Sequence, residues 1–348
     1  MIEKLDTACS LINLMPWLTP IVFRQGADES LTRIPRFEDG PRSIHFRHVV
    51  HAYTDNGVPD NNGVQKISFD TIRQAIQFAA PDYRVDCVAV TFADDANLIP
   101  HDVIAAPHLK RVVTEIATFA VKRPLPLLFD VLANGAAAEL PVRFSQSWRQ
   151  RVRYMFHVNK EDRQRRRAGE IEYFVMTNSD IHVQPGFYRV LAEFIARGYD
   201  VITTNRRTID VDPGDRSYSP IYMADRGSDH GGFDCFVFPT SMLEKFITSD
   251  GCCGSGHVMR SLLFNLVALA RRFLMLTHAQ LTYHLGNDEY WGTPAFGDYM
   301  HFNIRQAVDV IARLAGNADA ARRLADFIQV HEGDAYREAI STSLGLAR

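Results

Sequence analysis

The side chains best suited to chemistry in this sequence are oxygen-bearing groups that follow short apolar segments. In "EYFVMTNSDI" the apolar run stops at Asn178, Ser179 and Asp180, and an apolar and aromatic pattern then resumes. Two other apolar segments end similarly, at Tyr53 and at Asp94–Asp95. A hard divalent cation takes oxygen ligands, and Mg²⁺ usually combines one or two carboxylates with substrate phosphates and waters. These positions therefore predict a site for a cation and a phosphate-bearing ligand.

The segments before these side chains have the composition of strands, and helical patterns separate them. Residues 43–53 ("SIHFRHVVHAY") and 85–92 ("VDCVAVTF") are short runs rich in β-branched, aromatic or other apolar residues. Between them, apolar residues recur at helical spacing from Val64 to Ala79. A second strand, helix and strand follow within 172–204. This alternation predicts an α/β sheet with substantial parallel pairing, in which ligands bind beyond the carboxyl ends of the strands.

The rest of the chain reads as mainly helical. Residues 109–140 have a helical pattern broken at "RPLP", and helices are also predicted from 301 to the end. The apolar segment 257–276 is predicted to be one helix, and its arginines exclude a bilayer span. At the amino terminus, the apolar run from Ala8 onward predicts a packed helix rather than a signal peptide.

Composition and charge narrow the class of protein. A formal net charge of -3 gives no reason to expect a polyanionic partner, so nucleic acid is not expected. The basic stretch 149–167 is interpreted as a solvated helix face, and phosphates or an acidic acceptor are its first candidate ligands. Five cysteines without framework spacing favour a reducing compartment, and a cytoplasmic protein is expected. Cys252, Cys253 and His257 lack the fourth ligand of a zinc site.

The order of several short motifs resembles one enzyme family. "TNSDI" followed by "PGFY" resembles the Asp-X-Asp region of GT-A-fold nucleotide-diphospho-sugar glycosyltransferases, with Asn at the first acidic position. The blocks "LPLLFDVL", "GYDVITTNRR", "HGGFDCFVFP" and "HLGND" follow in the order found in a group of GT-A-like proteins. The likeness covers roughly residues 44–292. It implies a GT-A-like, Rossmann-like α/β fold, with a mostly parallel central sheet flanked by helices and added terminal helices.

The resemblance also implies a division of the chain and an activity. We expect an N-terminal helical or loop extension at 1–42, a catalytic domain at 43–295 and a C-terminal helical extension at 296–348. The implied activity is transfer of a sugar from a nucleotide-diphosphate donor to an unknown acceptor, which could be a glycan, a protein or a small molecule.

Roles for individual residues follow from the same resemblance. Asp180 and His284 are implied as ligands of Mn²⁺ or Mg²⁺ that bridges the two phosphates. Asn178 would contact the ribose, the sugar or a metal-bound water, and its missing negative charge is expected to weaken or abolish metal dependence. Tyr53 and Asp94–Asp95 are placed beside the nucleobase.

The chemistry of glycosyl transfer supports further candidates. It needs positive charge at the departing pyrophosphate and, for inversion of configuration, a base near the acceptor hydroxyl. Arg206 and Arg207 are candidates for the positive charge, because guanidinium groups pair bidentately with phosphate oxygens. Asp234 is the first candidate for the base, and Asp229 and His230 compete for that role.

Structural interpretations and two other functions stay open. Asp180 can equally be interpreted as a residue that forms the turn or caps a helix. His284 can be interpreted as a hydrogen-bonded core residue, and Asp234 as a residue that anchors its loop. A nucleotidyltransferase that forms sugar nucleotides is an alternative, although only "DNNGVQK" resembles a triphosphate-binding loop. A non-catalytic protein that binds a nucleotide or a partner through 149–167 is another.

Overall fold

The structure is a computed structural model whose described part forms two compact units. The described residues are 2–5, 43–53, 61–79, 83–106, 108–109, 125–138, 170–210, 227–276, 279, 281–286 and 294–345. The first unit comprises Met1–Ala106, Phe156–Thr240 and Arg271–Asp288, and the second Pro107–Met155, Ser241–Ala270 and Glu289–Arg348. The predicted division at residues 42 and 295 stays a prediction, and the helix expected from Ala8 onward lies outside the described residues.

The first unit is built on one sheet with ten strands among the described residues. The strands are β1 Ile2–Leu5, β2 Ser43–His51, β3 Tyr83–Val90, β4 Ile104–Ala105, β5 Glu170–Asn178, β6 His182–Val183, β7 Val201–Ile209, β8 Ser228–Pro239, β9 Phe273–Leu276 and β10 Thr282–Leu285. Their order is β1-β9-β7-β8-β5-β2-β3-β4, and β10 pairs with both β6 and β7.

Most of the strand pairs are parallel, as predicted. Along the main path only β8 runs antiparallel, and it does so against both of its neighbours, β5 and β7. The pairs that β2 makes with β3 and β5 are parallel, with His51 in register with Val90 and with Asn178. The carboxyl ends of these three strands therefore lie at one edge of the sheet, which is where the predicted polar side chains follow.

Two helices of the first unit cover the sheet around this edge. The helix α1 spans Asn61–Gln77 and α3 spans Phe187–Ala196. The apolar stripe predicted for α1 is buried at Val64, Ile72 and Ala75. These helices, together with the strands between them, confirm the predicted mixed α/β architecture with a mostly parallel sheet flanked by helices.

The second unit is helical in its described part. Its helices are α2 Leu128–Ala136, α4 Val258–Leu269, α5 Pro294–Leu314, α6 Ala318–His331 and α7 Asp334–Ser343. The last three confirm the helices predicted near the carboxyl terminus. Within the described residues, no helix has both the length and the apolar character that crossing a membrane requires.

The prediction of one helix over 257–276 is wrong. The helix α4 ends at Leu269, and Phe273–Leu276 forms β9, which is fully buried and pairs in parallel with β7 and β1. Between them, the carboxylate of Asp200 accepts hydrogen bonds from the backbone N–H groups of Arg271 and Arg272 at 3.0 and 2.8 Å. A continuous apolar run can form a buried strand as well as a helix, so periodicity alone did not separate the two.

Candidate functional site

The turn after β5 is held in place by hydroxyl groups of α1. The backbone N–H of Ile181 donates to the carbonyl of Asn178 at 3.2 Å, which closes the turn. The hydroxyl of Ser68 donates to the carbonyl of Ile181 at 2.5 Å, and Thr71 Oγ1 accepts from the N–H of Val183 at 3.1 Å. Because the backbone that follows the turn is hydrogen-bonded to α1, the backbone positions of the turn residues are fixed.

Asp180 lies in this turn as an ionised carboxylate. Its side chain is 31% exposed, and Oδ2 lies 3.3 Å from Nε2 of His284. Its other oxygen, Oδ1, is buried and has no hydrogen-bond partner among the described residues. Burial would raise the pKa of this carboxyl, but the hydrogen bond and charge of His284 and the charge of Arg206 outweigh it and hold the pKa well below its ordinary value.

The ring of His284 is oriented by its own strand end. His284 is the third residue of β10 and is buried, and its Nδ1 lies 2.7 Å from the carbonyl oxygen of Gly286. A carbonyl only accepts, so we infer that Nδ1 carries the hydrogen, and in the neutral ring the lone pair is then on Nε2. In the protonated ring, Nε2 donates to the Asp180 carboxylate, and this is the hydrogen bond that lowers the pKa of Asp180. In the neutral ring the lone pair faces the carboxylate, and a cation would take the place of the proton.

The pair formed by Asp180 and His284 fits a divalent cation of the predicted kind. Histidines that bind metals almost always donate the other ring N–H to a carbonyl, a carboxylate or water, as His284 does. No group of three His, Cys, Asp or Glu that could hold a metal occurs among the described residues. Two protein ligands are sufficient for Mg²⁺ when substrate phosphates and waters supply the remaining oxygens.

Arg206 and Asp234 form a second charged pair in the same unit. Arg206 Nε lies 3.6 Å from Asp234 Oδ2, and their side chains are only 8% and 12% exposed. His230 Nε2 is 4.0 Å from the same oxygen of Asp234. The charge of Arg206 also acts on Asp180. The structure thus brings together five of the predicted residues, namely Asp180, His284, Arg206, Asp234 and His230.

Tyr53 lies at the end of β2 against a histidine that the sequence did not single out. The rings of His51 and Tyr53 are stacked, with centroids 5.1 Å apart. Gln65 of α1 accepts from the backbone N–H of Tyr53 at 3.2 Å and donates to its carbonyl at 2.6 Å. Burial lowers the pKa of His51 to about 4, so its ring is neutral. His51 could have been found from its spacing of two residues from Tyr53, because residues two apart in a strand point to the same face.

Asp94 and Asp95 differ in environment. Both belong to a 3₁₀-helix, Ala93–Leu98, that follows β3. Asp95 is buried, and its backbone N–H donates to the carbonyl of Phe92 at 3.1 Å, whereas Asp94 is exposed. The expectation that one of the two contacts a nucleotide stays a prediction.

The other predicted residues of the first unit belong to strands β5, β7 and β8. Arg207 is half-buried and donates from one terminal nitrogen to the carbonyl of Gly227 at 2.6 Å. The backbone of Asp229 pairs with that of Arg207 in the ladder between β7 and β8, and its side chain lies outside the described part. Asn178 is half-buried at the end of β5. Their assigned roles stay predictions.

Several sequence motifs fall outside this site or outside the described residues. The basic stretch 149–167 is not among the described residues. Residues 61–66 of "DNNGVQK" form the first turns of α1 rather than a loop. His257 Nδ1 lies 2.8 Å from the hydroxyl of Tyr336, which does not favour a zinc site with the neighbouring cysteines.

Comparisons with known proteins found structural similarities at low sequence identity and no match by sequence. No protein-family profile and no curated protein matches the chain. It is similar to a crystal structure from Desulfovibrio desulfuricans G20 with the proposed assignment of nucleotide-diphospho-sugar transferase, at 10% identity and a TM-score of 0.32, over 78% of this chain and 98% of that chain. It is also similar to 4-diphosphocytidyl-2C-methyl-D-erythritol synthase from Anaerococcus prevotii DSM 20548, at 10% identity and a TM-score of 0.31, over 75% and 96%.

Proposed function

We propose that this protein is a transferase that moves a sugar from a nucleotide-diphosphate donor to an acceptor. The observation that carries the proposal is the pair formed by Asp180 and His284, with Oδ2 and Nε2 3.3 Å apart and the second carboxylate oxygen lacking a hydrogen-bond partner. The pair follows the carboxyl end of β5, the edge at which α/β sheets bind ligands.

The charges around the pair suit a divalent cation together with a diphosphate. The carboxylates of Asp180 and Asp234 against the guanidinium of Arg206 leave one net negative charge when the imidazoles are neutral, since two minus one is one. A bound divalent cation would turn this into one net positive charge. With the cation bound, the net positive charge favours a negatively charged diphosphate. Without the cation, the net negative charge of the site attracts the cation.

The residues of the chain would divide the work as follows. Asp180 and His284 would hold Mn²⁺ or Mg²⁺, which neutralises charge on the phosphate oxygens when it is bound. Arg206 would pair with diphosphate oxygens through its guanidinium. Asn178 and Tyr53 would contact the sugar-ribose part and the base of the donor. Because Asn178 is neutral, we expect the cation to bind weakly without the nucleotide.

Transfer itself requires one proton acceptor if configuration is inverted. The acceptor hydroxyl loses its proton to a base, its oxygen bonds to the anomeric carbon, and the diphosphate leaves with the electron pair of the broken bond. Asp234, Asp229 and His230 are the candidates for this base that the sequence suggests. A retaining enzyme would need none of them in this role.

Calorimetry with a panel of nucleoside diphosphates and triphosphates, with and without Mn²⁺, tests the proposal. We expect a diphosphate to bind in a Mn²⁺-dependent manner, and Asp180→Asn to weaken binding at least tenfold, the loss for one charged ligand. Asp200→Asn is the matched control, since it removes a buried carboxylate whose partners among the described residues are residues 271 and 272.

Other outcomes assign other functions. Preference for a triphosphate would favour a nucleotidyltransferase, and absence of any nucleotide binding would refute both enzymes and leave a partner-binding protein. If Asp180→Asn lowers the melting temperature and leaves nucleotide affinity unchanged, Asp180 is a turn residue and the proposed site is wrong.

A further inference from the structure

The ladder between β7 and β8 contains an irregularity at the charged pair. Thr204 is in register with Cys235, and the next residue, Asn205, is in register with Phe233. One step along β7 therefore corresponds to two steps along β8, and Asp234 is the extra residue. Such bulges redirect side chains and are frequent beside active sites.

At the bulge two buried charged atoms face each other, and neither has a hydrogen-bond partner among the described residues. These atoms are Asp234 Oδ2 and Arg206 Nε. They lie 3.6 Å apart, longer than an ordinary hydrogen bond but close enough for a strong electrostatic interaction. Burying a charge without a counter-charge is costly, so each of these groups keeps the other in place.

Within the described residues, the terminal nitrogens of Arg206 have no hydrogen-bond partner. Its Nε faces Asp234. Its positive charge reaches Asp180, which lies in the proposed cation pair. A planar guanidinium fixed at Nε presents its terminal N–H groups in the geometry that phosphate oxygens accept.

We propose that Asp234 is a positioning residue that fixes Arg206, and that Arg206 binds the diphosphate of the donor. This inference rests on the proposed function, and it removes Asp234 from the candidates for the base. The oxygen of Asp234 nearest Arg206 is buried beside the guanidinium. Because that oxygen has almost no solvent exposure, it is not open to an acceptor hydroxyl.

The test measures how strongly Asp234 and Arg206 depend on each other in ligand binding. The probe is the nucleoside diphosphate that binds wild type best, with Mn²⁺, titrated by calorimetry into Asp234→Asn, Arg206→Gln and the double variant. We expect Arg206→Gln and Asp234→Asn each to weaken binding about tenfold, the loss of a charge-assisted hydrogen bond. The affinity of the double variant should be within about twofold of that of Arg206→Gln. Once the guanidinium of Arg206 is absent, Asp234 no longer has a group to hold in place.

Two results would overturn the inference while leaving the proposed function in place. A base role predicts that Asp234→Asn slows sugar transfer by about 10²- to 10⁴-fold at saturating donor and leaves diphosphate affinity unchanged. General loosening of the protein predicts that the control Asp200→Asn weakens binding as much as Asp234→Asn does. If wild type binds no nucleoside diphosphate, the proposed function fails and this inference fails with it.

A second comparison covers the case in which Asp234→Asn does not fold because it leaves the Arg206 charge buried alone. Arg206→Met is then compared with the pair variant Arg206→Met, Asp234→Asn, which removes both charges at once. Affinities within about twofold of each other support the positioning role. A further tenfold loss in the pair variant shows that Asp234 contacts the ligand independently, which contradicts the inference.

Discussion

Replacing His48 should change how the stability of this protein depends on pH. His48 lies in β2, is fully buried, and bonds Tyr188 through Nδ1 at 2.7 Å and Thr177 through Nε2 at 2.9 Å. A neutral imidazole donates from one nitrogen and accepts at the other, and both hydroxyls can rotate to match. Burial lowers the pKa of His48 to about 3 because the charged ring is removed from water.

The direction and size of the effect follow from this pKa. The unfolded chain protonates His48 near pH 6.5, whereas the folded protein does so only near pH 3, so the unfolded state binds more protons between these values. The contribution of the neutral ring is therefore complete above pH 6.5 and is lost as the pH falls. Between pH 7 and pH 5 this linkage should cost wild type about 2 kcal/mol of unfolding free energy.

Urea unfolding of wild type and His48→Gln at pH 7 and pH 5 measures this effect. At pH 7 the variant should be less stable by about 2 kcal/mol, because the hydroxyls of Tyr188 and Thr177 lose well-placed partners. At pH 5 the difference should nearly vanish, since glutamine does not titrate. Tyr188→Phe is the control, and its cost should be equal at both pH values because the imidazole is retained.

An unchanged difference between wild type and His48→Gln at the two pH values would refute this reasoning. It would mean that the folded protein protonates His48 as easily as the unfolded chain does. The assignment of a neutral, buried imidazole bridging β2, β5 and α3 would then be wrong.

Two further substitutions test other parts of the sheet. Burial would raise the pKa of Glu172, but His45 and Arg47 outweigh it and lower this pKa to about 2. The substitution Glu172→Gln should therefore lower the unfolding free energy by about 2 kcal/mol at pH 7 and by little near pH 3. Urea unfolding at both pH values measures this difference. Ser68→Ala removes the hydrogen bond to the carbonyl of Ile181 and should lower the unfolding free energy by about 1 to 2 kcal/mol at pH 7. An unaltered urea midpoint would show that α1 does not hold the turn.

The spacing of apolar residues predicted most of the helices and strands around the site. The remaining elements depend on pairing with strands that are distant in the sequence. The helical stripe of α1 and the apolar runs of β3 and β5 were predicted because their spacing reflects which faces are buried. The segment 273–276 was assigned to a helix because its four apolar residues carry no periodicity, and pairing with β7 and β1 makes it a strand.

Some residues of the candidate site were predicted from the sequence, and others were missed. Asp180 and His284 were brought together by the resemblance, and their ring and carboxylate atoms are adjacent in the structure. His51 and Gln65 were missed because their relation to Tyr53 depends on strand register and on helix placement. The bulge that makes Asp234 an extra residue is a property of the β7 and β8 ladder, which no single segment encodes.

The antiparallel strand β8 has a consequence for the synthesis of the chain. It pairs with β5 on one side and β7 on the other, although it follows both of them in the sequence. Until residue 239 has left the ribosome, both older strands expose backbone groups that another polypeptide could pair with. Fragments that stop before residue 228 should therefore aggregate more readily than the full chain, because β5 and β7 lack the strand that pairs with both of them.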